Sequence, residues 1–198
     1  MKKKNFTLVE LLCATALVVI LAGIGFSAYS YASHRGKEAA TKSLITRIGA
    51  GLETLKTKHG FYPASSSYGD IEVTVNNNTG LITGISFGGT PVNDAKQLKD
   101  FLAVADGENL KKYLVEHSGH HDLTDAWGGR IQYRYPGKIN AVKFDIIAPG
   151  ADELFGTDIG RNPSSAPPDV NTDNSSQARR YYVDGNNEWA CDDIANFK

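Results

Sequence analysis

Hydrophobic and polar positions divide the chain into a long N-terminal stretch and a mixed remainder. From Leu11 to Ser33 no side chain carries a charge, a run of 23 residues. A helix rising about 1.5 Å per residue would carry that run across a hydrocarbon layer of roughly 30 Å. Beyond it Leu44, Ile48, Leu52 and Leu55 recur at spacings of four, four and three, with Lys42, Arg47, Glu53 and Lys56 between them. That is the stripe of an amphipathic helix. No proline precedes Pro63, so the pattern predicts one helix from near Phe6 to about Lys58, stopped by Gly60.

After the helix the period changes. IEVTV (71–75) and LITGISF (81–87) flank the turn-forming NNNTG and predict a hairpin. Asp94, with Gln97 three residues later, predicts a capped helix through about Leu102, and a short helix follows near Asn109 to Val115. Ile131, Tyr133 and Tyr135 alternate with Arg130, Gln132 and Arg134, which predicts a half-buried strand. Pro136-Gly137-Lys138 turns the chain into the partner strand VKFDII (142–147). GRNPSSAPPDVNTDNSSQ (160–177) has the composition of an irregular loop. The predicted class is α+β: a long N-terminal helix, transmembrane in its first half, packed on a small antiparallel β-sheet head.

Charge adds little to this picture. Twenty-one Lys and Arg face 22 Asp and Glu, so no excess basic charge points to nucleic acid. Cys13 lies in the apolar run and Cys191 near the C-terminus; both are read as free thiols. The sequence holds no nucleophile elbow, P-loop, dinucleotide glycine pattern or zinc-protease helix, and the expectation is a protein that is not an enzyme.

The opening MKKKNFTLVELL poses the sharper question, because Glu10 places an acid where a bilayer would be. An intramembrane acid costs about 2.5–3.5 kcal/mol near the bilayer centre and usually has a partner. A secretory signal peptide cut before Ser33, or a plain signal anchor, accounts for Lys2, Lys3 and Lys4 but not for Glu10. FTLVELL resembles the N-terminus of the type IV pilin and pseudopilin superfamily. The resemblance implies that residues 1–5 are a leader, removed by prepilin peptidase between Asn5 and Phe6, with methylation of the new Phe6 amine. It implies that residues 6–33 form the membrane or filament-core helix, 34–59 the amphipathic half of the spine, and 60–198 a periplasmic head with a long variable loop at about 156–190. Glu10 would then attract the Phe6 amine of a neighbouring subunit. Asn5 stands where the family has glycine.

The head carries further likenesses, strongest to the major pseudopilins of type II secretion. Gly60-Phe61-Tyr62-Pro63 is similar to their Gly-x-Tyr-Pro exit from the spine. LTDAWGGRIQYRYPG (123–137) is similar to their Asp-Pro-Trp-Gly strand entry, with Ala126 in place of proline and Trp127 read as a core residue. IIAPGADELFG (146–156) and CDDIANFK (191–198) resemble the two halves of their calcium site. That resemblance implies side-chain ligands Asp152, Asp192 and Asp193, with carbonyl oxygens from Pro149, Ala151 and Leu154; six to eight oxygens suit Ca²⁺. A local cluster of Asp152, Glu153 and Asp158 is the rival cation site. The implied function is a structural subunit in a helical homo-oligomeric filament. Its implied partners are prepilin peptidase, an inner-membrane assembly platform and minor pseudopilins. The alternative is a type IV pilin serving adhesion, motility or DNA uptake. HSGHHDLTD (117–125) offers His117, His120, His121 and Asp122 to a transition metal, but the default reading is a solvated loop.

Overall fold

The structure, a computed structural model, describes residues 8–92, 94–137, 139–152, 155 and 194–196. Helix α1 runs from Leu8 to His59 without a break. It ends as expected at Gly60, whose φ of 84° suits a residue without Cβ and whose N–H donates back to the Lys56 carbonyl at 3.0 Å. The chain divides into two compact units between Lys37 and Glu38.

In the first unit α1 is long and apolar enough to cross a membrane. Its large apolar side chains between Leu8 and Phe26 are 59% to 78% exposed. In the second unit the same helix changes character. Thr41, Leu44, Ile45, Ile48, Leu52 and Leu55 are all buried, while Lys42, Thr46 and Lys56 stay exposed. This is the predicted stripe, and it closes the head's core. Each fully buried leucine or isoleucine contributes about 1.5–3 kcal/mol relative to exposure.

Among the described residues the head forms an antiparallel sheet of eight strands: β1 (Ser65–Val75), β2 (Ile82–Phe87), β3 (Thr90–Val92), β4 (Leu114–His117), β5 (His120–Leu123), β6 (Gln132–Tyr135), β7 (Asp145–Ala148) and β8 (Ile194–Ala195). The main path is β3-β2-β1-β6-β7-β8. The long strand β1 also pairs with β5 through Glu72↔Asp122 and Val73↔His121, and β5 pairs with β4. Ile71, Val73, Ile85, Phe87, Tyr133 and Ile146 face the spine's stripe in one core. The β1–β2 hairpin forms where predicted. Its NNNTG turn is held by the Asn76 side-chain oxygen, which accepts from the N–H groups of Asn78 and Thr79.

Helix α2 (Ala95–Ala105) starts as expected, the Asp94 carboxylate accepting from the N–H groups of Lys96 and Gln97. It runs one turn beyond Leu102 because Phe101 and Ala105 continue its buried face. The short helix lies earlier than predicted, as α3 (Gly107–Leu110) and a 3-10 turn (Lys111–Tyr113); Leu114 is already in β4. The partner of β6 begins at Asp145 rather than Val142, and all four of its residues are buried. The expected alternation fails because β7 is covered on both faces. Ile146 and Ala148 join the main core, while Ile147 packs in a second cluster with Phe155, Tyr68, Ile139 and Ala195. The segment 117–125 is not a solvated loop but the β4–β5 hairpin and its exit, with Asp122, Leu123, Thr124 and Asp125 buried.

Candidate functional site

Two regions follow from the sequence. The first is the start of α1. Glu10 lies in its first turn and is exposed. Asn5 and Phe6 lie outside the described residues. Around Glu10 the exposed side chains are Leu8, Val9, Leu11 and Leu12, so a carboxylate sits within an otherwise apolar surface.

The second region is the junction between the DAWGG turn and the APGAD loop, and Asp125 builds it. Its Oδ1 accepts from the N–H groups of Trp127 at 2.8 Å and Gly129 at 3.0 Å. Its Oδ2 accepts from the Gly150 N–H at 3.0 Å. One side chain therefore shapes its own turn and ties it to the loop 25 residues later. Burial pushes the Asp125 carboxyl above the usual aspartate range, and the backbone N–H groups of Trp127, Gly129, Gly150 and Gly128 draw it back in part. Gly129 is required by contact: a Cβ there would stand 2.3 Å from Cγ of Pro149. The Thr41 hydroxyl, buried on the spine, accepts from the Ala126 N–H at 3.1 Å and fixes the turn to α1. Trp127 packs against the main core while half-buried itself, as a residue at the entry of the sheet should.

Of the residues implied for calcium, Pro149 is buried, Ala151 is exposed and Asp152 closes a 3-10 turn (Gly150–Asp152). Leu154, Asp192 and Asp193 lie outside the described residues, as do Glu153 and Asp158 of the rival cluster. What the described residues show is the strand pairing beside these segments. Ala148, just before Pro149, is the partner of Ile194, just after Asp193. Asn196 extends this pairing: its Oδ1 accepts from the Ile146 N–H at 2.7 Å and its Nδ2 donates to the Phe144 carbonyl at 2.9 Å.

The sequence reading missed three organising side chains: Asp125, Asn196 and Asp145. Asp145 is fully buried and accepts from the Tyr68 hydroxyl and from the N–H groups of Ile139 and Asn140, each at 2.9 Å. An acid inside an apolar strand such as FDII is the signal that could have found it. No family model matches the chain, and no curated protein and no solved structure matches it significantly.

Proposed function

We propose that this chain is a filament-forming subunit of the pilin kind, specifically a major-pseudopilin-like subunit of a type II secretion pseudopilus. The observation that carries the reading is the division of labour along α1. One uninterrupted helix leaves its first half, apolar apart from Glu10, bare and spends its second half closing an antiparallel head. An apolar helix surface of that length needs a bilayer or other copies of itself as cover.

In this reading prepilin peptidase cuts before Phe6, Lys2 to Lys4 mark the cytoplasmic side, and the head lies in the periplasm. The freed Phe6 amine of an incoming subunit is drawn to Glu10 of its neighbour. In a low-dielectric surrounding the pair counts for far more than in water, whereas either charge alone is penalised. Calcium held by Asp152, Asp192, Asp193 and the carbonyls of Pro149, Ala151 and Leu154 would neutralise the terminal acids and brace the loop against β8.

The test is the mass and N-terminal sequence of the protein from its own host, together with assembly of a Glu10→Ala variant. The expected result is a methylated chain beginning at Phe6, and a variant whose head folds normally but which forms few or no filaments. A chain beginning at Ser33, or normal filaments from Glu10→Ala, would overturn the reading.

A further inference from the structure

The β4–β5 hairpin, which precedes the DAWGG turn, carries a separate side-chain cluster. Ser118 and Gly119 both have positive φ, 46° and 89°, the conformation of a two-residue type I′ turn. That turn pairs His117 with His120 across the hairpin, and the separate β1–β5 pairing sets Asp122 opposite Glu72. His120 and Asp122 are two residues apart on one strand and share a face. Their donor atoms converge. His120 Nε2 lies 3.3 Å from Oδ1 of Asp122 and 3.7 Å from Oε1 of Glu72, and the three atoms lie within 4.8 Å of one another.

Two carboxylates directly opposite on neighbouring strands are destabilising without a compensating cation. Arg130 supplies one positive charge, but it bonds the far oxygen Oδ2 of Asp122 and Oδ2 of Asp70, both at 3.1 Å. Among the described residues, Asp70, Glu72 and Asp122 bond to one permanent cation, Arg130, or lie beside it, an excess of two negative charges when His117, His120 and His121 are neutral. Arg130 thus orients Asp122 from behind and leaves its Oδ1 turned toward His120.

We propose that Glu72, His120 and Asp122 form a zinc-type site that staples the β4–β5 hairpin to β1. A divalent ion balances the two surplus charges. Donor atoms on one tetrahedral zinc stand about 3.3 Å apart, given bonds of roughly 2.0–2.2 Å, close to the separations around His120 Nε2. Imidazole and carboxylate are both donors zinc accepts, and three protein ligands leave its fourth position to water. The set is poor for Ca²⁺, which wants six to eight oxygens. None of these three residues belongs to the APGAD loop proposed to hold calcium.

The test is titration of the EDTA-treated full-length chain in mild detergent with ZnCl₂, with and without a saturating excess of CaCl₂. One zinc is expected to bind, raise the melting temperature and shift the His120 imidazole resonances, unaffected by calcium. Substituting a direct ligand should weaken binding by more than the about 10- to 100-fold that outer-shell changes cost. His120→Ala and Glu72→Gln should both do so while melting as the untreated apo chain does. If His120→Ala fails to fold, Glu72→Gln and the imidazole resonances of the unaltered chain decide. Absence of zinc binding, or equal affinity in the variants with unmoved His120 resonances, would overturn the proposal.

Discussion

Gly51→Ala sets two effects of known size against each other inside the spine helix. In a helix interior alanine is favoured over glycine by about 1 kcal/mol, so propensity alone predicts stabilisation. Packing predicts the reverse. A Cβ at position 51 would stand 2.6 Å from Cε2 and 2.7 Å from Cδ2 of Phe101. That ring is fully buried and edge-on to Phe87 at 5.4 Å, with Phe87 in turn edge-on to Tyr133 at 5.2 Å. A ring boxed in this way must move or force the helix out, and overpacking costs about 1–3 kcal/mol. The overpacking cancels or exceeds the propensity gain, and Gly51→Ala should lower the unfolding free energy by about 0–2 kcal/mol.

Gly49→Ala is the control two residues away. Its Cβ would meet the Phe144 ring at 3.7 Å, an ordinary contact, so the propensity gain of about 0.5–1 kcal/mol should survive. Urea unfolding of the full chain in mild detergent, followed by tryptophan fluorescence, reads both. The Gly51→Ala penalty should shrink in a Phe101→Leu background, a coupling of about 0.5–3 kcal/mol. If Gly51→Ala is as stable as Gly49→Ala, the reasoning from ring contact is wrong.

Three further perturbations test other joints. Glu53 bonds Lys143 at 2.7 Å and the Tyr62 hydroxyl at 2.8 Å; the Lys143 bond, opposed by burial and aided by Tyr62, holds its carboxyl below the ordinary 4.5. Its stabilising contribution is therefore present above pH 4.5 and lost as pH falls through the lower folded value, so wild type and Glu53→Gln should converge in melting temperature under acid. Asp125→Ala removes the acceptor for three backbone N–H groups; at about 1–3 kcal/mol for each buried group left unsatisfied, even partial rescue by water leaves a loss of several kcal/mol in urea unfolding. Chelation with EGTA should lower the melting temperature of wild type and leave an Asp152→Asn variant unchanged if the APGAD loop holds calcium; equal shifts in both would refute that site.

The spine was legible because its signals are local and repeated. Twenty-three uncharged residues, a three-four apolar stripe and Gly60 each specify helix or its end without reference to anything distant. The hairpin around NNNTG was legible for the same reason. What failed was what depends on a third layer. Burial of β7 on both faces requires Phe155 and Tyr68 to cover Ile147, which no period within FDII reveals. The β4–β5 hairpin was obscured because its buried face uses His121 beside Leu123 rather than an aliphatic run, and its turn is Ser-Gly rather than Asn-Gly. Nothing local marks Asp125 as an organiser, because its reach to Gly150 is a contact across 25 residues.

The glycines of α1 separate folding from assembly. Gly51 is bound to the head by the Phe101 ring, but a Cβ at Gly23 or Gly25 would meet nothing within 4 Å. Among the described residues nothing therefore asks for glycine at those two positions, and each weakens the helix by about 0.5–1 kcal/mol relative to alanine. Both lie in the exposed apolar half, beside Ile24 and Phe26 at 65% and 75% exposure. If that half packs against neighbouring copies, small residues let helices approach closely, as in membrane bundles generally. Gly25→Ala should then leave the urea midpoint of the head unchanged and still reduce filament yield, while Gly51→Ala lowers the midpoint first and assembly only as a consequence. Filament yield that follows head stability in both variants would mean the first half of α1 is only an anchor.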